Sequence, residues 1–146
     1  MVMKSFRGRL ADDSKDTIPL STNNGSIGYR VTKFIAMGTD ANSNTESVMK
    51  LYSIPQSTVT TDIDFSDNTL LGAIVFNSSA DNAYNPEQTV IFDNIIFNQD
   101  IVVTLKGHQV AQTLNYYIEL EQMKLDINEN TVATLKDIKN IEATYL

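Results

Sequence analysis

Between Thr89 and Leu105 the chain reads Thr-Val-Ile-Phe, Asp-Asn, Ile-Ile-Phe, Asn-Gln-Asp, Ile-Val-Val-Thr-Leu, and no other stretch limits the possible folds as strongly. β-Branched and aromatic residues fit a pleated, half-buried surface, and short polar interruptions are where a strand-forming chain reverses. Two reversals are open. Asp93-Asn94 as a two-residue turn pairs Thr89–Phe92 with Ile95–Phe97, whereas Asn98-Gln99-Asp100 pairs a longer first strand with Ile101–Leu105. The shorter turn is the expectation.

Other segments extend the pattern. Ile27 to Met37 is expected as a long strand with Tyr29, Val31, Ile35 and Met37 on one side. Lys33 interrupts its alternation, which calls for an edge position or a bulge. Glu46–Ile54 is a second strand, stopped by Pro55 because proline gives a ladder no donor, and the two suggest a hairpin with a long connection. Thr69–Phe76 is apolar on both faces, the mark of a central strand covered on two sides by another sheet or another subunit. Gln56–Asn68 and Asn77–Glu87 are loop-like, with Thr58–Ile63 able to pair briefly. Asn115–Leu125 alternates as far as Leu120 and then changes parity at Met123 and Leu125, so a bulge near Gln122 is expected. Val132, Leu135 and Ile138 recur at helical spacing after Asn128 or Asn130, either of which can cap a short helix; a further strand is the alternative. Together these predict an all-β fold, an antiparallel β-sandwich or jelly roll with one short C-terminal helix.

Charge divides the chain unevenly. Its net charge is −7 over 146 residues, yet the first fifteen residues carry Lys4, Arg7, Arg9 and Lys15 against Asp12 and Asp13. The rest sums to about −9. Residues 1–25 lack sustained periodicity and end in turn formers, which predicts an extended N-terminal arm ahead of a β-sandwich domain at 26–146. Phe6, Arg7, Arg9, Leu10, Ile18 and Leu20 are the candidate partner-binding residues of that arm. They give it more apolar anchors than a frayed terminus needs. An arm of this kind predicts that deleting residues 1–20 leaves the fold intact. The acidic body repels phosphate backbones, so no direct nucleic-acid partner is expected.

Several activities lack the residues they require. With no cysteine there is no disulfide, thiolate nucleophile or zinc-thiolate site, which suits assembly in a reducing cytoplasm. No apolar run reaches the roughly 20 residues of a membrane helix, and no secretory signal is recognised at the N-terminus. The single histidine, His108, follows Gly107 in an expected exposed turn, with no nucleophile elbow to serve. Asp62-Ile-Asp64-Phe-Ser-Asp67 opens like a calcium loop but lacks the glycine and glutamate such a loop needs, and local turns account for its residues. Glu119 and Glu121 share a strand face roughly 7 Å apart, a spacing used by acid–base pairs, but nothing nearby would separate their pKa values and solubilising a sheet face is the better explanation. Asn24-Gly25-Ser-Ile-Gly28 is a turn, since no lysine follows to hold a phosphate. Neither enzymatic activity, nor a cofactor, nor a metal is expected.

Phe6–Ser14, Asp64–Leu71, Phe92–Ile101 and Asn115–Glu121 resemble segments of small virion structural proteins of marine tailed bacteriophages. The likeness spans most of the chain and contains no catalytic signature. It implies a particle component, first of all a capsid decoration (cement) protein that binds the major capsid protein and forms a homo-oligomer, a trimer in the first instance. The localisation implied is the virion. The alternatives are a head–tail or tail component, or a carbohydrate-binding β-sandwich module of a host-recognition fibre, the last weakened by the absence of tryptophan.

Overall fold

The computed structural model describes residues 2–22, 25–40, 45–78, 88–108 and 112–125. They form eight strands: β1 (Val2–Ala11), β2 (Ser14–Ile18), β3 (Ile27–Gly38), β4 (Thr45–Tyr52), β5 (Leu70–Ser78), β6 (Gln88–Ile91), β7 (Ile101–Gly107) and β8 (Thr113–Lys124). Two antiparallel sheets, a small one ordered β1-β8-β3 and a large one ordered β2-β7-β4-β5-β6, pack face to face as a β-sandwich. Tyr29, Val31, Phe34, Leu114, Ile118 and Leu120 from the small sheet meet Met49, Leu51, Ile74, Ile101, Val103 and Leu105 from the large one in a continuous core.

The pairing is nested. β4 lies against β5, β2 against β7 and β1 against β8, each pair enclosing the one before it along the chain. A long hairpin rolled across itself produces this connectivity, which is that of a jelly roll. The remaining pair of the nest, β3 with the chain after β6, is reduced to one bridge between Tyr29 and Phe97.

The stretch from Thr89 to Leu105 is therefore neither of the expected hairpins. A turn does form at Asp93-Asn94, where Ile95 N donates to Phe92 O at 3.4 Å. Before it, β6 pairs with β5 at the edge of the large sheet; after it, Phe97 reaches β3 of the small sheet; then β7 returns to the interior of the large sheet. Its apolar residues serve both sheets in succession. The hairpin expected from the two runs at 27–37 and 46–54 is likewise absent, because β3 and β4 belong to different sheets. No strand forms over 58–63.

Residues 2–18 are not a separate arm. β1 is in register with β8 over all ten residues and β2 with β7 over all five. Leu10, Ile18 and Leu20 are buried in the core of their own chain, and Phe6 is half-buried against it. The passage between the two sheets takes only Asp12 and Asp13. Asp13 adopts φ 60°, a conformation that aspartate tolerates better than most residues, and Asp12 Oδ1 accepts the Gly107 amide at 2.6 Å. The division at residue 25 thus cuts through one sandwich. The expected C-terminal helix at 130–140 lies outside the described residues.

The doubly apolar strand is covered on both sides by its own chain. Residues 53–68, between β4 and β5, fold across the outer face of the large sheet, where Lys50, Tyr52, Ala73, Val102 and Thr104 are buried. Lys50 Nζ donates to Asp62 O at 2.6 Å and to Thr60 Oγ1 at 3.1 Å, and Lys15 Nζ reaches the Gln56 carbonyl. Phe65 meets Phe92 edge-on at 5.3 Å between ring centroids.

Candidate functional site

Of the two outer faces of the sandwich, that of the small sheet has no covering segment among the described residues. Four rows cross it from β1 through β8 to β3: Met3, Glu121 and Arg30; Ser5, Glu119 and Lys33; Arg7, Tyr117 and Ile35; Arg9, Asn115 and Met37.

A bulge in β3 sets the composition of these rows. Val31 pairs with Leu120 and Lys33 with Glu119, so Thr32 is the extra residue. Its Oγ1 donates to Glu119 O at 3.0 Å, partnering a carbonyl at the point where the ladder is disrupted. Each residue beyond the bulge changes face. Phe34 and Ala36 turn into the core, while Ile35 and Met37, expected on the side of Tyr29 and Val31, become exposed at 38% and 65%. The break at Lys33 was the sequence signal for this change; inverting the parity there would have placed both residues on the outer face. No bulge exists at Gln122, since β8 is in regular register with both neighbours there.

The face has two electrostatic halves. In the first two rows the carboxylates are engaged. Glu121 Oε2 accepts from Arg30 Nη2 at 2.7 Å and Nε at 3.1 Å, and Glu119 Oε2 accepts from the Tyr117 hydroxyl at 2.9 Å. That hydrogen bond, more than burial, raises the Tyr117 pKa above its ordinary value. The other two rows contain no acid. Arg9 Nε donates to Asn115 Oδ1 at 3.3 Å, and among the described residues neither Arg7 nor Arg9 has a carboxylate in ion-pair range. The two guanidinium groups sit beside Ile35, Met37 and Tyr117 along an open groove of about 670 Å³.

Gly8 holds the arginine-bearing strand close to the core. It lies opposite Tyr116, whose ring passes beneath it; a Cβ on residue 8 would stand 2.6 Å from the Tyr116 hydroxyl oxygen. The hydroxyl then donates to Asp16 Oδ2 at 3.0 Å, in the other sheet. Burial first, then this hydrogen bond, pushes the Tyr116 pKa up to about 12.

Of the arm residues expected to bind a partner, the structure leaves Arg7 and Arg9 available and exposed. Leu10, Ile18 and Leu20 belong to the core. Glu119 and Glu121 share a face as expected, but each is committed to a separate partner. In the acidic loop, Asp64 Oδ1 accepts from Ser66 N and Oγ, and Asp67 Oδ1 from Thr69 N and Oγ1, so these carboxylates shape turns. The Lys50 ammonium supplies the local positive charge, and no group of three potential metal ligands occurs among the described residues. His108 is exposed at the end of β7, its amide donating to Glu46 O. Gly25 adopts φ 62°, a conformation that favours glycine, and its amide donates to Thr22 O.

A second groove, about 340 Å³, lies by Thr17, Ile54, Pro55 and Asp100. Asp100 Oδ1 accepts the Ser21 and Leu20 amides at 2.8 and 2.7 Å, and these bonds lower its pKa while fixing the chain after β2. This site is structural. Neither a scan against family models nor a search of curated proteins finds a match to the chain.

Proposed function

We propose that this protein is a non-enzymatic assembly component that docks through the acid-free half of its small sheet on an acidic protein surface, and that this surface is a phage capsid shell. The carrying observation is the pair Arg7 and Arg9, without carboxylate partners among the described residues, beside exposed Ile35 and Met37 on a chain of net charge −7. Apolar contact supplies affinity in such an interface, and the cations supply orientation and select an acidic partner. The virion assignment draws on the segment resemblance, with which a jelly-roll scaffold is compatible. A decoration protein that binds the major capsid protein as a cyclic homo-oligomer, a trimer first, fits these features.

The test is quantitative mass spectrometry of purified particles, joined to re-addition of purified protein to stripped shells. A copy number near that of the shell subunit supports decoration; a number matching the neck or tail reassigns the protein to those structures. Arg7→Glu/Arg9→Glu should abolish re-addition with the far-ultraviolet circular dichroism unchanged. Full occupancy by that variant would refute the docking face.

A further inference from the structure

The sandwich has four outermost strands, and they differ in what they offer a partner. β2 and β6 are five and four residues long, and β3 is interrupted by its bulge and by the bridge to Phe97. β1 is ten residues long, unbroken in register, and paired only with β8. Backbone donors and acceptors along its other edge therefore have no strand partner among the described residues.

We propose that β1 accepts an extended acidic segment of the partner protein by strand addition, enlarging the small sheet. This deepens the docking reading above and rests on it. An open edge of this length is a template for β-augmentation, in which main-chain hydrogen bonds give affinity and alternate side chains give specificity.

Charge identifies the occupant. Val2–Ala11 contains Lys4, Arg7 and Arg9 and neither an acid nor a proline. Pairing with β1 of a second copy would set cations against cations, and like charges on neighbouring strands are destabilising. Basic side chains on an edge normally guard against aggregation, and here they repel a basic strand and attract an acidic one. Arg7 and Arg9 are two residues apart and share the outer face. An incoming strand answers them with two carboxylates at alternate positions, acid-x-acid. Its intervening side chains lie on the face of Phe6, which is half-buried against the core.

The experiment uses the full chain and three blocked peptides: alternating glutamate and valine, the same peptide with lysine for glutamate, and the glutamate peptide N-methylated along one edge. The glutamate peptide should bind by fluorescence anisotropy, more weakly as salt rises, and should slow hydrogen exchange in β1 but not in β2 or β6. The lysine peptide should not bind. N-methylation should weaken binding at least about tenfold, because it removes the main-chain bonds while keeping the charge. Arg7→Glu/Arg9→Glu should do the same, since reversed charges meet like charges. Equal binding of the N-methylated peptide would overturn strand addition while leaving charge-driven docking standing. No binding of the glutamate peptide, or binding without protection of β1, would also overturn it. Loss of shell binding by the arginine variant is read separately and bears on the docking reading alone.

Discussion

The hydroxyl of Tyr116 in the small sheet donates to the carboxylate of Asp16 in the large sheet at 3.0 Å, the only side-chain hydrogen bond described between β8 and β2. Asp16 lies on β2, itself part of the expected arm, and Tyr116 on β8, the partner of β1, so the bond fastens the two sheets beside β1. Tyr116→Phe should lower unfolding free energy by about 1.5–3 kcal/mol, the usual range when a hydrogen bond to a charged group is removed. The sign of its pH dependence follows from the raised pKa. The folded-state value of about 12 exceeds the ordinary 10.0, so the stabilisation is complete below pH 10 and is lost as pH rises toward 12. Urea titrations should separate wild type from variant at neutral pH and converge at alkaline pH, and a tyrosinate absorbance titration of the wild type should retain one late component that the variant lacks.

Gly8→Ala should destabilise through the same tyrosine. The new methyl would press on ring atoms at 2.6 to 2.8 Å, and overpacking of this kind costs about 1–3 kcal/mol. Since relief requires Tyr116 to move off Asp16, the double variant Gly8→Ala/Tyr116→Phe should lose less than the sum of the single losses. A double-mutant cycle in urea checks this.

Deleting residues 1–20 should unfold the chain rather than release a dispensable arm. The deletion removes Leu10, Ile18 and Leu20 from the core and strips an edge partner from both β8 and β7. Each such buried side chain contributes about 1.5–3 kcal/mol, against a typical total stability of about 5–15 kcal/mol. Loss of the cooperative transition in thermal circular dichroism is the expected outcome; a folded truncated chain would show that β1 and β2 are additions to a self-sufficient body.

That truncation also marks where local sequence stops being informative. Apolar runs and alternation in 27–37, 46–54, 69–76 and 115–125 were enough to place β3, β4, β5 and β8. β1 alternates too, but the positions on its inner side are Val2, Lys4, Phe6, Gly8 and Leu10, and a lysine and a glycine among five hide the period. Gly8 becomes intelligible only when Tyr116, far away in sequence, is seen to fill its place. Partner choice between strands was similarly hidden, since period-two patterning says which face is buried and not which strand lies alongside. At the candidate site, Arg7 and Arg9 were legible from charge alone. Ile35 and Met37 were legible only by inverting the parity at Lys33, because one inserted residue inverts every side chain after it.

Lys50 should govern the segment that covers the large sheet. Its ammonium is buried and held by Asp62 O and Thr60 Oγ1, so Lys50→Met leaves a covered carbonyl without its donor. A loss of about 1–3 kcal/mol is expected, with faster hydrogen exchange concentrated in residues 56–66. Burial, more than the opposing pull of Asp62 and Asp67, lowers the Lys50 pKa. Between that lowered value and the ordinary 10.5 the unfolded chain binds more protons, so this group makes stability rise with pH there. The slope is opposite to that from Tyr116. Wild type should therefore gain relative to Lys50→Met as pH climbs toward 10.5.

Substitutions on the outer face of the small sheet should separate binding from stability. Ile35 and Met37 are exposed and face away from the core, and surface changes away from special features usually stay within about 0.5 kcal/mol. Ile35→Ser/Met37→Ser should thus leave the urea midpoint nearly unchanged. Docking on an acidic surface should nevertheless weaken, because the variant removes the apolar part of a patch whose charged part remains. The remaining attraction through Arg7 and Arg9 is screened by salt, whereas apolar contact is not. Binding by the serine variant should accordingly fall more steeply with ionic strength than binding by wild type. Surface plasmon resonance on immobilised shells at several salt concentrations measures this; parallel salt curves with unchanged affinity would show that Ile35 and Met37 lie outside the contact.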